Sequence, residues 1–140
     1  MDYPDMKPTV SGIDHIVLTV ADIDTTLAFY QGVLGMGAQE FRPADGSIRW
    51  ALKFGNQKIN LHQRGAEFDP KARDARAGSA DICFLSDVSL DTWQQHLKTC
   101  DVTIEEGPVT RTGATGPLRS IYLRDPDGNL IEISNLGVAR

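Results

Sequence analysis

One order of secondary-structure signals runs through the chain twice, and that repetition limits the possible folds more than any other feature. IDHIVLTV (13–20), rich in β-branched residues, predicts a buried strand. A helix follows across TTLAFYQGVLGM, where Leu27, Tyr30, Val33 and Leu34 recur at helical spacing. Asp22 or Asp24 caps its start, and Gly35 and Gly37 end it. Three strands come next: about 38–42, then SIRWALKF with Ile48, Trp50, Leu52 and Phe54 alternating, then QKINLHQ with Ile59 and Leu61 alternating. A polar stretch with Pro and Gly, 64–79, reads as the connecting loop. The order then restarts: ADICFLS as a strand, VSLDTWQQHLKTC as a helix with Leu90, Trp93, Leu97 and Cys100 on its apolar face, and VTIEEGPVTR, SIYLRD and NLIEISN as strands. A Gly- and Thr-rich loop (112–116) and the tight turn DPDG separate these last three. The expected fold is therefore α+β, two βαβββ modules at about 13–63 and 80–135 in a single domain from residue 11 onward, after a loose leader to about Val10.

The letters repeat as well as the elements. DHIVLTVADI faces ADICFLSDV, and FGNQKINLH faces PDGNLIEIS. This alignment sets Asp81 opposite His15 and Asn60 opposite Glu132, with His62 on the face of Asn60. Period-two alternation puts Ile13, His15, Val17 and Thr19 on one side of the first strand, and Leu130, Glu132 and Ser134 on one side of the last.

A His or Glu in an apolar strand costs free energy to bury unless it is paired, hydrogen-bonded or bound to a metal. His15, His62, Asp81 and Glu132 together make a nitrogen and oxygen donor set. Such a set suits Mn²⁺, Fe²⁺, Ni²⁺, Co²⁺ or Zn²⁺ better than a soft metal. His96, on the second helix, reads as a solvent-facing helix residue. The RTGATGP stretch (111–117) reads either as an ordinary hairpin loop or as a mobile cover, and Lys58, Arg64 and Arg119 are candidate cations for a substrate carboxylate.

Composition narrows the partners. A net charge of -5 with scattered Lys and Arg gives no basic footprint for nucleic acid. Two cysteines, Cys83 and Cys100, with no CxxC pair, point to reduced thiols rather than a disulfide framework. The amino terminus has no apolar segment of the secretory kind, and no apolar run is long enough to span a bilayer. The expectation is a cytoplasmic protein that meets a small-molecule substrate and neither a membrane nor nucleic acid.

DHIVLTVADIDTTLAFYQGVLGM resembles the opening of vicinal oxygen chelate proteins, and IYLRDPDGNLIEIS resembles their closing hairpin. KINLHQRGAEFDPKA, GSADICF and IEEGPVTRTGATGP are similar to the glyoxalase domain-containing and virulence-associated members. The resemblance implies a half-open barrel around a divalent metal, with His15 as the first-strand ligand and Glu132 as the last-strand ligand. It also implies catalysis on vicinal oxygens of a small carbonyl or oxygen-rich substrate, by isomerisation, lyase or proton-transfer chemistry, with Glu132 as the proton carrier. Extradiol-type dioxygenation and non-catalytic binding of the bleomycin-resistance kind are the other activities it offers. Asp81 stands where the better understood members carry His, and Asn60 where glyoxalase I carries Glu. Open-faced modules leave sheet edges uncovered, so a homodimer is expected.

Overall fold

The computed structural model describes residues 7–137; of the expected leader, only 7–10 fall inside that range, and they are exposed and carry no regular structure. The first module comprises β1 (His15–Val20), α1 (Ile23–Gly32), β2 (Gly37–Phe41), β3 (Arg49–Phe54) and β4 (Gln57–Gln63). The second comprises β5 (Asp81–Leu85), α2 (Leu90–Thr99), β6 (Glu106–Thr112), β7 (Pro117–Arg124) and β8 (Leu130–Leu136). The two βαβββ modules are therefore present, each a four-stranded sheet, in the orders β1-β4-β3-β2 and β5-β8-β7-β6. No helix among the described residues is long and apolar enough to cross a membrane.

Local chemistry explains the boundaries. Asp22 is the cap of α1, its carboxylate accepting from the Thr25 backbone N–H and hydroxyl, and Ser89 caps α2, its hydroxyl oxygen accepting from the Thr92 backbone N–H. VTIEEGPVTR pairs as a strand only from Glu106, four residues later than its first letter, and the register slips between Glu106 and Val109. The cause is Gly107, whose φ is +107 and whose missing Cβ would lie 2.4 Å from the Ser120 carbonyl oxygen. RTGATGP is a tight hairpin, closed by the Gly113 N–H on the Gly116 carbonyl.

One core serves both modules. Leu18 and Val20 of β1, Leu27 and Tyr30 of α1, and Leu52, Ile59 and Leu61 of β3 and β4 join Leu97 of α2 and Ile121, Leu123, Ile131 and Ile133 of β7 and β8. Phe54 meets Phe84 edge-on across the seam, with ring centroids 5.2 Å apart. Because the helix-bearing sides of both sheets supply this core, the opposite sides turn away from it and the sheets do not close into a barrel. The expected α+β fold of two βαβββ modules is thus present, as two open sheets that are not closed into a barrel.

His96 also departs from expectation. It is half-buried, its Nε2–H donates to the Val33 carbonyl at 2.8 Å, and it stands edge-on to Trp93, so it ties α2 to the end of α1.

The turn Asp125-Pro-Asp-Gly-Asn129 fixes the modules to each other. Asp125, 5% exposed, accepts from the Tyr30 hydroxyl at 2.7 Å, the Asn129 side chain at 2.8 Å and the backbone N–H groups of Asp127 and Asn129. Burial and the Asp125 charge push the Tyr30 hydroxyl far above the usual phenol range, so it donates at every accessible pH. Replacing Tyr30 by Phe should destabilise the protein by about 1.5 to 3 kcal/mol, the worth of a hydrogen bond to a buried charge. Asp125→Ala, which strands several donors at once, should cost about 3 kcal/mol or more. Urea unfolding of both variants measures the difference, with an unchanged m-value expected for Tyr30→Phe.

Candidate functional site

Strand pairing brings the polar residues to the two outward faces in matching positions. In the first sheet β1 runs parallel to β4 with Val17 opposite Asn60, and in the second β5 runs parallel to β8 with Cys83 opposite Glu132. His15 lies two residues before Val17 and Asp81 two before Cys83. The aligned letters therefore correspond in space, and each sheet carries two of the candidate residues on one face: His15 with Asn60, and Asp81 with Glu132.

The four residues expected around a metal are not gathered by one chain, and among the described residues no three His, Cys, Asp or Glu side chains converge on a common point. His62 pairs with Thr19 while His15 pairs with Lys58, four residues away. At roughly 3.3 Å per residue this sets His62 about 13 Å along the sheet from His15, too far for one ion beside both. His15 and Cys83 line a single cleft of about 250 Å³ where the modules adjoin, and Cys83 is in turn the cross-strand neighbour of Glu132.

Each pair has its own support. His15 is exposed, and its Nδ1–H donates to Asp14 Oδ2 at 2.9 Å, which leaves Nε2 free to bind outward. That hydrogen bond holds the Asp14 carboxyl below the ordinary range. Asn60 Oδ1 is buried, and it has no hydrogen-bond partner among the described residues. An orphaned acceptor of this kind fits a site that a cation or a donor would complete.

On the second sheet, half-buried Glu132 lies between Cys83 and Tyr122 on the neighbouring strands. The Ser134 hydroxyl donates to Glu132 Oε2 at 3.3 Å and joins Ser120 at 2.6 Å and the Cys83 sulfur at 3.2 Å. Arg111 Nε–H donates to the Tyr122 hydroxyl oxygen at 2.9 Å while its outer nitrogen pairs with Glu106. Burial, with the Glu132 charge adding to it, raises the Tyr122 hydroxyl and keeps it protonated.

Sequence reasoning missed Tyr122, Cys83 and the two serines. The signal was present for Tyr122: counting outward from the DPDGN turn places it opposite Glu132 in an antiparallel hairpin. Of the candidate cations, Lys58 lies opposite His15 with its ammonium over the Phe41 ring, Arg119 alternates to the helix-bearing side, and Arg64 is exposed beyond β4.

Residues 12–133 match the family model described as the Glyoxalase/Bleomycin resistance protein/Dioxygenase superfamily. The chain belongs to this superfamily. It is 53% identical over 132 residues to virulence protein STM3117 of Salmonella typhimurium, covering 94% of this chain and 89% of that one. It is 50% identical over 127 residues to glyoxalase domain-containing protein RDO1 of Mycosarcoma maydis, covering 91% of this chain and 69% of that one. A solved structure from the mobile metagenome of V. Pseudocholerae superposes with a TM-score of 0.89 at 54% identity, covering 95% of this chain and all of that one (100%). More distant members include metallothiol transferase FosB of Staphylococcus saprophyticus, 27% identical over 89% of this chain and 76% of that one. Lactoylglutathione lyase of Agrobacterium tumefaciens is 25% identical over 91% of this chain and 96% of that one, with a TM-score of 0.66. The superfamily thus includes enzymes, while the relatives near 50% identity are named as virulence or domain-containing proteins.

Burial, followed by the Glu132 and Asp81 charges, raises the Cys83 thiol, so little thiolate is present at neutral pH. In a Cys100→Ser background, iodoacetamide should label Cys83 more slowly than a free thiol at neutral pH. The rate should climb through a midpoint displaced upward from the ordinary thiol range, and mass spectrometry across a pH series measures it.

Proposed function

We propose that this chain is a divalent-metal-dependent enzyme of the glyoxalase-like type, which holds two neighbouring oxygens of a small carbonyl or oxygen-rich substrate and moves a proton beside them. The observation that carries the reading is the matched placement of His15 with Asn60 and of Asp81 with Glu132, with the buried Asn60 oxygen lacking a partner. An imidazole, an amide oxygen and two carboxylates form a hard donor set that fits a first-row divalent ion such as Mn²⁺, Fe²⁺, Ni²⁺, Co²⁺ or Zn²⁺. When bound, the ion would supply Lewis acidity, polarising a substrate oxygen and stabilising the oxyanion that forms. Two carboxylates make it a weaker Lewis acid than an all-imidazole site would.

The remaining steps belong to the chain. Glu132 is the proton carrier, its carboxylate oriented by the Ser134 hydroxyl and partly withdrawn from water. Tyr122, whose oxygen accepts from Arg111, keeps its own proton to donate to a substrate oxygen. Asp14 holds the His15 ring in one orientation. The named activities of the metallothiol transferase and the lyase among its relatives support enzymatic chemistry on this fold.

The reading also requires the half-sites to meet, and a second copy of the chain is the proposed means. β1 and β5 are edge strands, and Ile13, Val17, Leu85 and Leu136 near the outward faces are exposed. A homodimer that covers them would bring the first-sheet half of one copy against the second-sheet half of the other.

His15→Ala and Glu132→Ala should each lower bound divalent metal at least about tenfold, each being a direct ligand. Elemental analysis of protein purified without chelator or a nickel affinity step decides it; metal content near wild type in both variants overturns the assignment. Analytical ultracentrifugation of the wild type at micromolar concentration should give a dimer.

A further inference from the structure

Loop 64–79 folds back over the end of the first sheet and encloses a cavity of about 440 Å³, lined by Val17, Thr19 and His62 of the strands, Lys71 and Arg76 of the loop, and Asn129 of the DPDGN turn. The loop is pinned at its far end: Gly78 adopts φ +83, and a Cβ there would lie 2.5 Å from the Asp127 carbonyl oxygen.

His62 is the unusual wall. It is only 8% exposed, yet among the described residues neither ring nitrogen has a hydrogen-bond partner. Those nitrogens are not sealed in the core: the ring lines the cavity and leaves them open to a ligand there. Its orientation is fixed by Phe68, which meets the ring edge-on at 5.4 Å and carries the Arg49 guanidinium 3.7 Å above its own face. The His62 ring offers an N–H donor to the cavity in either neutral tautomer.

The charges around it decide which ligand fits. Arg49, Lys71 and Glu67 are the charged groups that act on the ring. Arg49 is engaged by Asp45 and Lys71 by Asp69, and Glu67 is held by the Gly65 backbone N–H. At the rim Asp74 lies near Arg76, but the Arg76 guanidinium makes no ion pair among the described residues. The cavity thus offers an N–H donor of fixed orientation and an unengaged guanidinium, groups that suit an oxyanion.

We propose that this cavity binds the oxyanionic group, a carboxylate or a phosphate, of the small-molecule substrate, with His62 as the buried donor and Arg76 as the rim cation. His62 shares its sheet face with Asn60 and His15 and lies about 13 Å along the strands from His15. The substrate is then a small acid carrying its paired oxygens at one end and its anionic group at the other. Its role as substrate rests on the function proposed above, whereas the binding of the anion does not.

The chain has three histidines, so their ring nitrogens can be assigned by NMR in the full-length protein. Inorganic phosphate and succinate, titrated separately at neutral pH into millimolar concentration, should shift the His62 ring signals saturably. A response to succinate alone assigns a carboxylate, a response to phosphate alone assigns a phosphate, and a response to both supports the shared oxyanion chemistry. His62→Gln should weaken binding of the active probe about tenfold by calorimetry, as loss of a hydrogen bond to a charged group requires. The same titration after metal removal should be unchanged. Absence of a saturable His62 shift with either probe overturns the proposal, and so does its disappearance on metal removal, which would place the anion on the metal. The metal contents of His15→Ala and Glu132→Ala report separately on the function proposed above.

Discussion

A buried carboxylate holds the two halves of this protein in register. Alone in the core, the charge of Asp125 would be strongly destabilising, but its two oxygens accept four hydrogen bonds, and a charge so fully paired rigidifies what surrounds it. The donors come from both modules: Tyr30 belongs to the first helix and Asn129 to the final hairpin. The same turn reaches further through the Asp127 carboxylate, which accepts from the Ala21 backbone N–H, and the Asn129 side-chain oxygen, which accepts from Ala80. Five residues thus tie the link between β1 and α1, the body of α1 and the start of β5 to one point.

That tie has consequences for chemistry. Each strand alternates, so burying Leu18, Ile59, Ile131 and Ile133 in a common core drives His15, Asn60, Asp81 and Glu132 to the outward faces. His15 and Asp81 are exposed on these faces, while Asn60 and Glu132 are half-buried beside them. The loop between the modules then shapes the first face unequally, roofing the His62 end while leaving the His15 end open. One face therefore offers two environments: an exposed imidazole at His15 and a buried one at His62.

Much of this was legible in the chain. Period-two alternation and two helical stripes gave all ten elements in order, and the aligned repeats paired His15 with Asp81 and Asn60 with Glu132 as the strand registers do. His62 was misjudged because sharing a face says nothing of distance along it: two residues beyond Asn60 moves it away from His15, not toward it. His96 was misread because its neighbours in sequence are polar while its partner, the Val33 carbonyl, lies 63 residues away. The DPDGN turn was recognisable as a turn, but its hold on Tyr30 is 95 residues long in sequence and invisible to any local pattern.

The sequence by itself determined which residues face which way, because alternation and helical period are properties of the backbone and the hydrophobic effect acts on every window alike. It also determined family membership, through motifs that cover both modules. Only the tertiary structure decided which polar residues are neighbours. The packing of helix-bearing faces against each other sets the candidate residues of the two sheets on opposite outward faces, and the fold-back of loop 64–79 makes His62 part of a cavity wall. The physical reason is that these contacts join segments far apart along the chain, where position is set by the closing of one shared core and the pairing of one buried charge.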